Sequence, residues 1–238
     1  MKCCMLLPFA PDHRWHLARQ CGVTHAVAKL APELTGRNPP WDFAVLRAAK
    51  ERFAAAGFTL CGLEGDQMDM SRIKLGLPGR DEDLELYRRM IANMGALGLD
   101  LLCYNFMAGI GWYRTSFNVA ERGGAVTNAF DAGQVSGATE HGTISAEAIW
   151  SNYLYFLRGV LPGAEAAGVA LAIHPDDPPV KELKGIARIF SDAEGFRRSF
   201  REVKSPAHQL TFCQANFHLM GEDVPALIGE FGRQGKIA

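Results

Sequence analysis

The chain reads as an α/β protein of the TIM (β/α)8 type, and three features of its 238 residues lead there. Short apolar runs alternate with longer helical patterns, as in parallel strands joined by crossover helices. The apolar runs are continuous, which suits strands covered on both faces. Several of them deliver a polar residue at their C-terminal end, the end at which barrel enzymes assemble their chemistry.

The elements follow in order. Met5 to Phe9 is an apolar strand, and a helix around His13 to Cys21 stops at Gly22. His25 to Leu30 is the next strand; Phe43 to Ala56 is a helix with Gly57 as its stop. Phe58 to Leu63 is a strand ending at Glu64, and Asp81 to Leu97 a helix ended by Gly98. Leu99 to Phe106 is a strand, Ser145 to Ala167 a long helix, and Gly168 leads into a strand that carries His174. Asp192 to Glu202 is a helix, Leu210 to Phe212 a strand and Val224 to Phe231 a helix. These make about six βα units, and Gly235 to Ala238 read as the turn and start of a seventh strand. A closed barrel needs eight, so the barrel is expected to be incomplete at the C-terminus. A doubly wound open sheet is the alternative, but no G-x-G-x-x-G follows the first strand. One domain over residues 1–238 is expected, with a long insertion at about 107–143.

Composition narrows the function. Hydrophobic residues at 48% and charged residues at 21% are ordinary for a globular domain and argue against disorder. A net charge of -1 supplies no field to attract nucleic acid or a membrane surface, so neither is an expected partner. The opening MKCCMLLPFAPDHRW is too short in its apolar run for a signal peptide, and no later segment approaches membrane-spanning length. A cytoplasmic location is expected. The six cysteines contain no CxxC pair, which suits a reducing compartment in which most thiols are buried as small hydrophobes.

The most informative stretch is VALAIHPDDPP, residues 169–179. An apolar strand delivers His174 where two acids and two prolines halt regular structure. Leu210 to Phe212 delivers Cys213 in the same way, and an imidazole and a thiolate are both good ligands for a borderline divalent ion. Glu64 and Asn105 lie at two further strand ends and are candidate substrate contacts. The insertion, rich in Gly, carries Trp112 and Arg114 and has the length of a cover over a site. Arg114 offers a fork suited to a carboxylate, Asn105 a donor and an acceptor for hydroxyls, and Asp176 an outer-shell partner for the histidine or a substrate hydroxyl. Asp176 and Asp177 could instead cap the following turn. His13, His16, His25, His141, His208 and His218 share no ligand spacing and are expected on the surface or at caps.

CYNFM at 103–107, RGGAVTNAFD at 122–131, NYLYFL at 152–157, AIHPDDPP at 172–179 and FCQANF at 212–217 together resemble the mannonate dehydratase family, metal-dependent barrel enzymes related to xylose isomerase-like proteins. IKLGLPGRDED at 73–83 extends the resemblance over most of the chain. It implies that His174 and Cys213 bind a divalent metal, Mn2+ or Fe2+, with two further ligands from strands not seen in this sequence. It also implies dehydration of the sugar acid D-mannonate to 2-keto-3-deoxy-D-gluconate, with no residue assigned as general acid or base; Glu64, Asn105, Trp112, Arg114 and Asp176 are the residues expected to face substrate, on their own chemistry and positions. The sequence departs from the family at GWYRTSF, where Gly111 stands in place of a usual acid, and at KLAPELTGRNPPW after the second strand. A related sugar-acid dehydratase, a sugar isomerase or epimerase, and a noncatalytic binding homologue are the competing functions. Unpaired strand edges would suit a homo-oligomer.

Overall fold

The computed structural model describes residues 2–36 and 38–238. In chain order the elements are β1 (Cys4–Leu6), α1 (His13–Gln20), β2 (His25–Ala28), α2 (Pro32–Thr35), α3 (Phe43–Ala55), β3 (Thr59–Glu64), α4 (Ser71–Leu75) and α5 (Arg80–Ala96). There follow β4 (Leu101–Tyr104), β5 (Ser116–Ala120), β6 (Val126–Ala129), α6 (Ala146–Ala167), β7 (Ala170–Ile173), β8 (Glu182–Leu183) and β9 (Ile186–Ala187). The chain continues through α7 (Ala193–Glu202), β10 (His208–Leu210), α8 (Gln214–Leu219) and α9 (Val224–Arg233).

Six strands form one sheet in the order β1-β2-β3-β4-β7-β10, every pair parallel. Strands that follow one another in the chain lie side by side, as each crossover helix returns the chain to the neighbouring position. The two exceptions are insertions at strand ends: β5 and β6 form a hairpin inside the 107–143 segment, and β8 and β9 form a second hairpin after His174. A parallel bridge between Leu210 and Ile237 begins a seventh position, where the sequence placed it. Residues of all six strands, among them Leu6, Val27, Cys61, Leu101, Ala170 and Gln209, line one cavity of about 1020 Å³. One cavity touched by every strand is what a sheet curled about a lumen gives.

Local chemistry sets the helix ends. Asp12, Asp42, Ser145, Asp192 and Asp223 each cap a helix by accepting a backbone N–H with their side chains. Gly168 ends α6 in the left-handed conformation at φ 67°, turning the chain directly into β7. Gly62 is required for another reason: a Cβ there would stand 2.3 Å from the carbonyl oxygen of Leu101 on the neighbouring strand. Outside the sheet, α6 brings Tyr153 and Phe156 against Tyr104 and Phe106, and Tyr87 of α5 backs Phe156, in edge-on and tilted ring pairs 5.0 to 5.8 Å apart.

Two expectations from sequence are corrected. His208 is neither surface nor cap: it is 0% exposed at the start of β10. Its Nδ1 bonds the Val203 carbonyl at 3.1 Å, and its Nε2 meets the hydroxyls of Tyr153 and Ser199 at 3.2 and 3.0 Å. A polar residue can enter the core when each of its groups finds a partner there, a condition that hydropathy does not register. The cysteines are also less buried than expected. Cys103 is in the core, whereas Cys3, Cys4 and Cys21 are exposed. Cys4 lies on an edge strand exposed along its length, which leaves an apolar run without a second cover.

Candidate active site

Parallel pairing puts the C-terminal ends of β3, β4, β7 and β10 side by side. Tyr104 is in register with Ile173, and Ile173 with Leu210. Main-chain bonds continue past the strands, from the His174 N–H to the Tyr104 carbonyl at 2.7 Å and from the Thr211 N–H to the Ile173 carbonyl at 3.0 Å. Asn105, His174 and the turn leading to Cys213 therefore leave the sheet at one level.

His174 is half-buried, and its Nδ1 donates to the Pro175 carbonyl at 2.7 Å. Among the described residues its Nε2 has no hydrogen-bond partner. Burial lowers the imidazole's pKa, so it is held neutral with an available lone pair. The ring of Trp112 stands edge-on to it at 5.1 Å. Cys213 precedes α8, and its Sγ donates to Asn216 Oδ1 at 3.0 Å. Asn216 Nδ2 donates in turn to the Asp176 carbonyl at 2.8 Å, so one buried amide joins the cysteine turn to the histidine loop.

The remaining sequence candidates have definite places. Asp176 is 1% exposed and does not reach the His174 ring, whose Nδ1 is occupied by Pro175. Its Oδ2 accepts from the Phe190 N–H at 2.8 Å, and burial pushes the carboxyl pKa up. Arg114 does grip a carboxylate with its fork, that of Asp177, at 2.7 Å to each oxygen. The Asn105 side chain is buried and accepts at Oδ1 from Lys74 Nζ at 2.9 Å, while Lys74 also pairs with Asp66 at 2.7 Å. Glu64 stands on the lumen, where burial pushes its carboxyl pKa up. Trp112 is half exposed at the rim of the insertion.

Sequence reasoning passed over Lys74, Arg188 and Asn216. Lys74 and Asn216 lie within strings that carried the family resemblance, and a buried Arg188 inside the apolar GIARIF run was the remaining signal.

The donor chemistry of His174 and Cys213 suits a borderline divalent cation. Among the described residues no group of three or more His, Cys, Asp or Glu side chains is arranged to hold a metal. No helix among the described residues is long and apolar enough to cross a membrane.

Comparison with known proteins gives the family. The model of the family described as D-mannonate dehydratase (UxuA) matches residues 14–142 and 138–238. A mannonate dehydratase of Thermotoga maritima is 30% identical over 231 residues, covering 83% of this chain and 64% of its own length. Another from Enterococcus faecalis is 27% identical and covers 92% of this chain and 70% of its own. The crystal structure of mannonate dehydratase from Streptococcus suis serotype 2 superposes with a TM-score of 0.87 at 28% identity, covering all of this chain and 70% of that one. A D-psicose 3-epimerase from Clostridium cellulolyticum H10, at a TM-score of 0.58 and 14% identity, shares the fold. The chain thus spans about 64% of the length of the Thermotoga relative.

Proposed function

This chain belongs to the D-mannonate dehydratase family, and from that premise we propose that the protein is a metal-dependent hydro-lyase converting D-mannonate to 2-keto-3-deoxy-D-gluconate and water. The observation that carries the reading is the geometry of His174: its Nδ1 is held by the Pro175 carbonyl, its Nε2 has no hydrogen-bond partner among the described residues, and its loop is joined through Asn216 to the turn of Cys213. A neutral imidazole and a thiolate would hold Mn2+ or Fe2+ together with ligands beyond those two. Such an ion supplies Lewis acidity where charge builds on the substrate carboxylate.

The chain's own residues handle the sugar acid. Arg114 already binds a carboxylate through both terminal nitrogens, so a substrate carboxylate would compete with Asp177 for the same fork. Asn105, its Oδ1 engaged by Lys74 and one amide hydrogen turned to Asp66 at 3.4 Å, retains its second amide hydrogen for a sugar hydroxyl. Trp112, edge-on to His174, would cover that edge of a bound sugar acid, and Glu64 would add a carboxyl from its strand end, while Asp176 holds the histidine loop from within. Dehydration removes the proton at C2 and expels the C3 hydroxyl; the resulting enol then tautomerises to the 2-keto acid. Six free cysteines fit a reducing compartment such as the cytoplasm. The outer edge of β1, paired on one side only among the described residues, suits a second copy of the chain.

Turnover of D-mannonate with Mn2+ or Fe2+ tests the reading. A 2-keto-3-deoxy product supports it. A ketose product assigns the protein to isomerisation, and neither turnover nor bound metal assigns it to noncatalytic binding.

A further inference from the structure

The buried Arg188 side chain ties the long insertion to the segment that packs on the histidine loop. Arg188 follows β9, is 4% exposed, and donates Nη2 to the carbonyls of Ile110 and Gly111 at 2.9 and 3.0 Å. Those carbonyls form the foot of the insertion, immediately before Trp112 on His174 and Arg114 on Asp177. Two bonds fasten its own segment to the histidine loop, from the Asp176 N–H to the Phe190 carbonyl at 3.0 Å and from the Phe190 N–H to Asp176 Oδ2 at 2.8 Å, and the charges of Asp176 and Asp177 favour the guanidinium without pairing with it directly. The remaining donors of Arg188, Nε and Nη1, are buried without a hydrogen-bond partner, as is Asp176 Oδ1.

A buried guanidinium is tolerable only beside opposing charge, and a buried carboxylate has the same requirement. Arg188 therefore keeps its place only while the 174–177 loop holds its two acids, and the insertion keeps its foot only while Arg188 is there. A lysine could carry the charge, but its compact ammonium lacks the planar fork that spans two adjacent carbonyls while facing acids on another side.

We propose that Arg188 is a positioning residue: it clamps the Ile110 and Gly111 carbonyls to the 174–177 loop, and so sets Trp112 against His174 and Arg114 against Asp177 as one closed cover. The role in catalysis rests on the reading of the His174 rim as the reactive site, whereas the clamp itself is a property of the fold.

The test uses Arg188→Met, which keeps the apolar stem and removes the charge, and Arg188→Lys, which keeps the charge. Amide exchange of the segment from Thr115, whose N–H donates to the Ala129 carbonyl at 2.9 Å, to Ala120 is followed by mass spectrometry. Acrylamide quenching of Trp112 is obtained as the difference between each protein and the same protein carrying Trp112→Phe. In R188M the segment exchanges about tenfold faster and Trp112 becomes more accessible, with R188K intermediate, because two hydrogen bonds to a charged donor are lost. In turnover, KM rises about tenfold while kcat stays within about threefold, as expected when binding geometry rather than chemistry is loosened. A folded R188M with the exchange and quenching of the parent overturns the proposal; if R188M does not fold, parental behaviour of R188K in both measurements overturns it. Neither readout needs a substrate, so loss of the dehydratase reading by absent turnover is told apart from loss of the clamp.

Discussion

Two histidines on neighbouring strands show how the same side chain is put to opposite uses. His208, at the start of β10, and His174, just past the end of β7, are each shielded enough that burial lowers the imidazole pKa, and each offers Nδ1 to a main-chain carbonyl. They differ at Nε2. In His208 it is enclosed by the hydroxyls of Tyr153 and Ser199; in His174 it has no partner among the described residues and faces the rim. A fully satisfied histidine fastens helices to a sheet, while one with a lone pair in reserve can bind something that arrives from outside.

The largest effect should separate the two directly. His174→Ala and Cys213→Ser should each weaken Mn2+ binding by more than about 100-fold, the upper range for changes even outside the ligand shell, when titrated calorimetrically. Their unfolding free energies should stay within about 1 kcal/mol of the parent, as expected for substitutions at a half-open rim. Unfolding of the variants without loss of ion binding in the folded fraction would reverse the roles. His208→Ala should behave in the opposite sense, costing about 3 kcal/mol in urea unfolding because the Tyr153 and Ser199 hydroxyls lose a buried partner, with metal affinity per folded molecule unchanged.

The most gradual effect is the pH dependence. His208 titrates at about 4 in the folded protein against 6.5 for an ordinary histidine. The unfolded chain thus binds the proton first on acidification. The stabilising contribution is present above pH 6.5 and drains away as pH falls from 6.5 towards 4, by up to about 3 kcal/mol. His208→Gln should flatten that part of the stability curve; an unchanged slope would place its origin in other groups.

Sequence revealed the parallel sheet because its strands are continuous apolar runs bounded by glycines, and the strand-end residues because β/α geometry leaves few places for them. Asn105, His174 and Cys213 emerge from adjacent strands as their spacing required. The small elements were invisible: α2, α4 and α8 are one or two turns long, too short to show helical periodicity, and the β8–β9 hairpin has two residues per strand. The partners of the site residues were equally hidden. That Arg114 meets Asp177 across 63 positions, or that Arg188 holds the carbonyls of residues 110 and 111, depends on loop closure in three dimensions. His208 was misjudged because its value to the fold comes from a tyrosine and a serine on two different helices.

Asn216 carries a consequence for any ion that takes Cys213 as a thiolate. The sulfur would then have no hydrogen to give, and the Asn216 Oδ1 that accepts it now would confront a negative charge at 3.0 Å. Turning the amide over would offer the sulfur an N–H, but would bring oxygen against the Asp176 carbonyl that Nδ2 now satisfies at 2.8 Å. Ionisation at one strand end is thereby transmitted to the loop that presents the imidazole, and the two donors respond to a guest as a coupled pair.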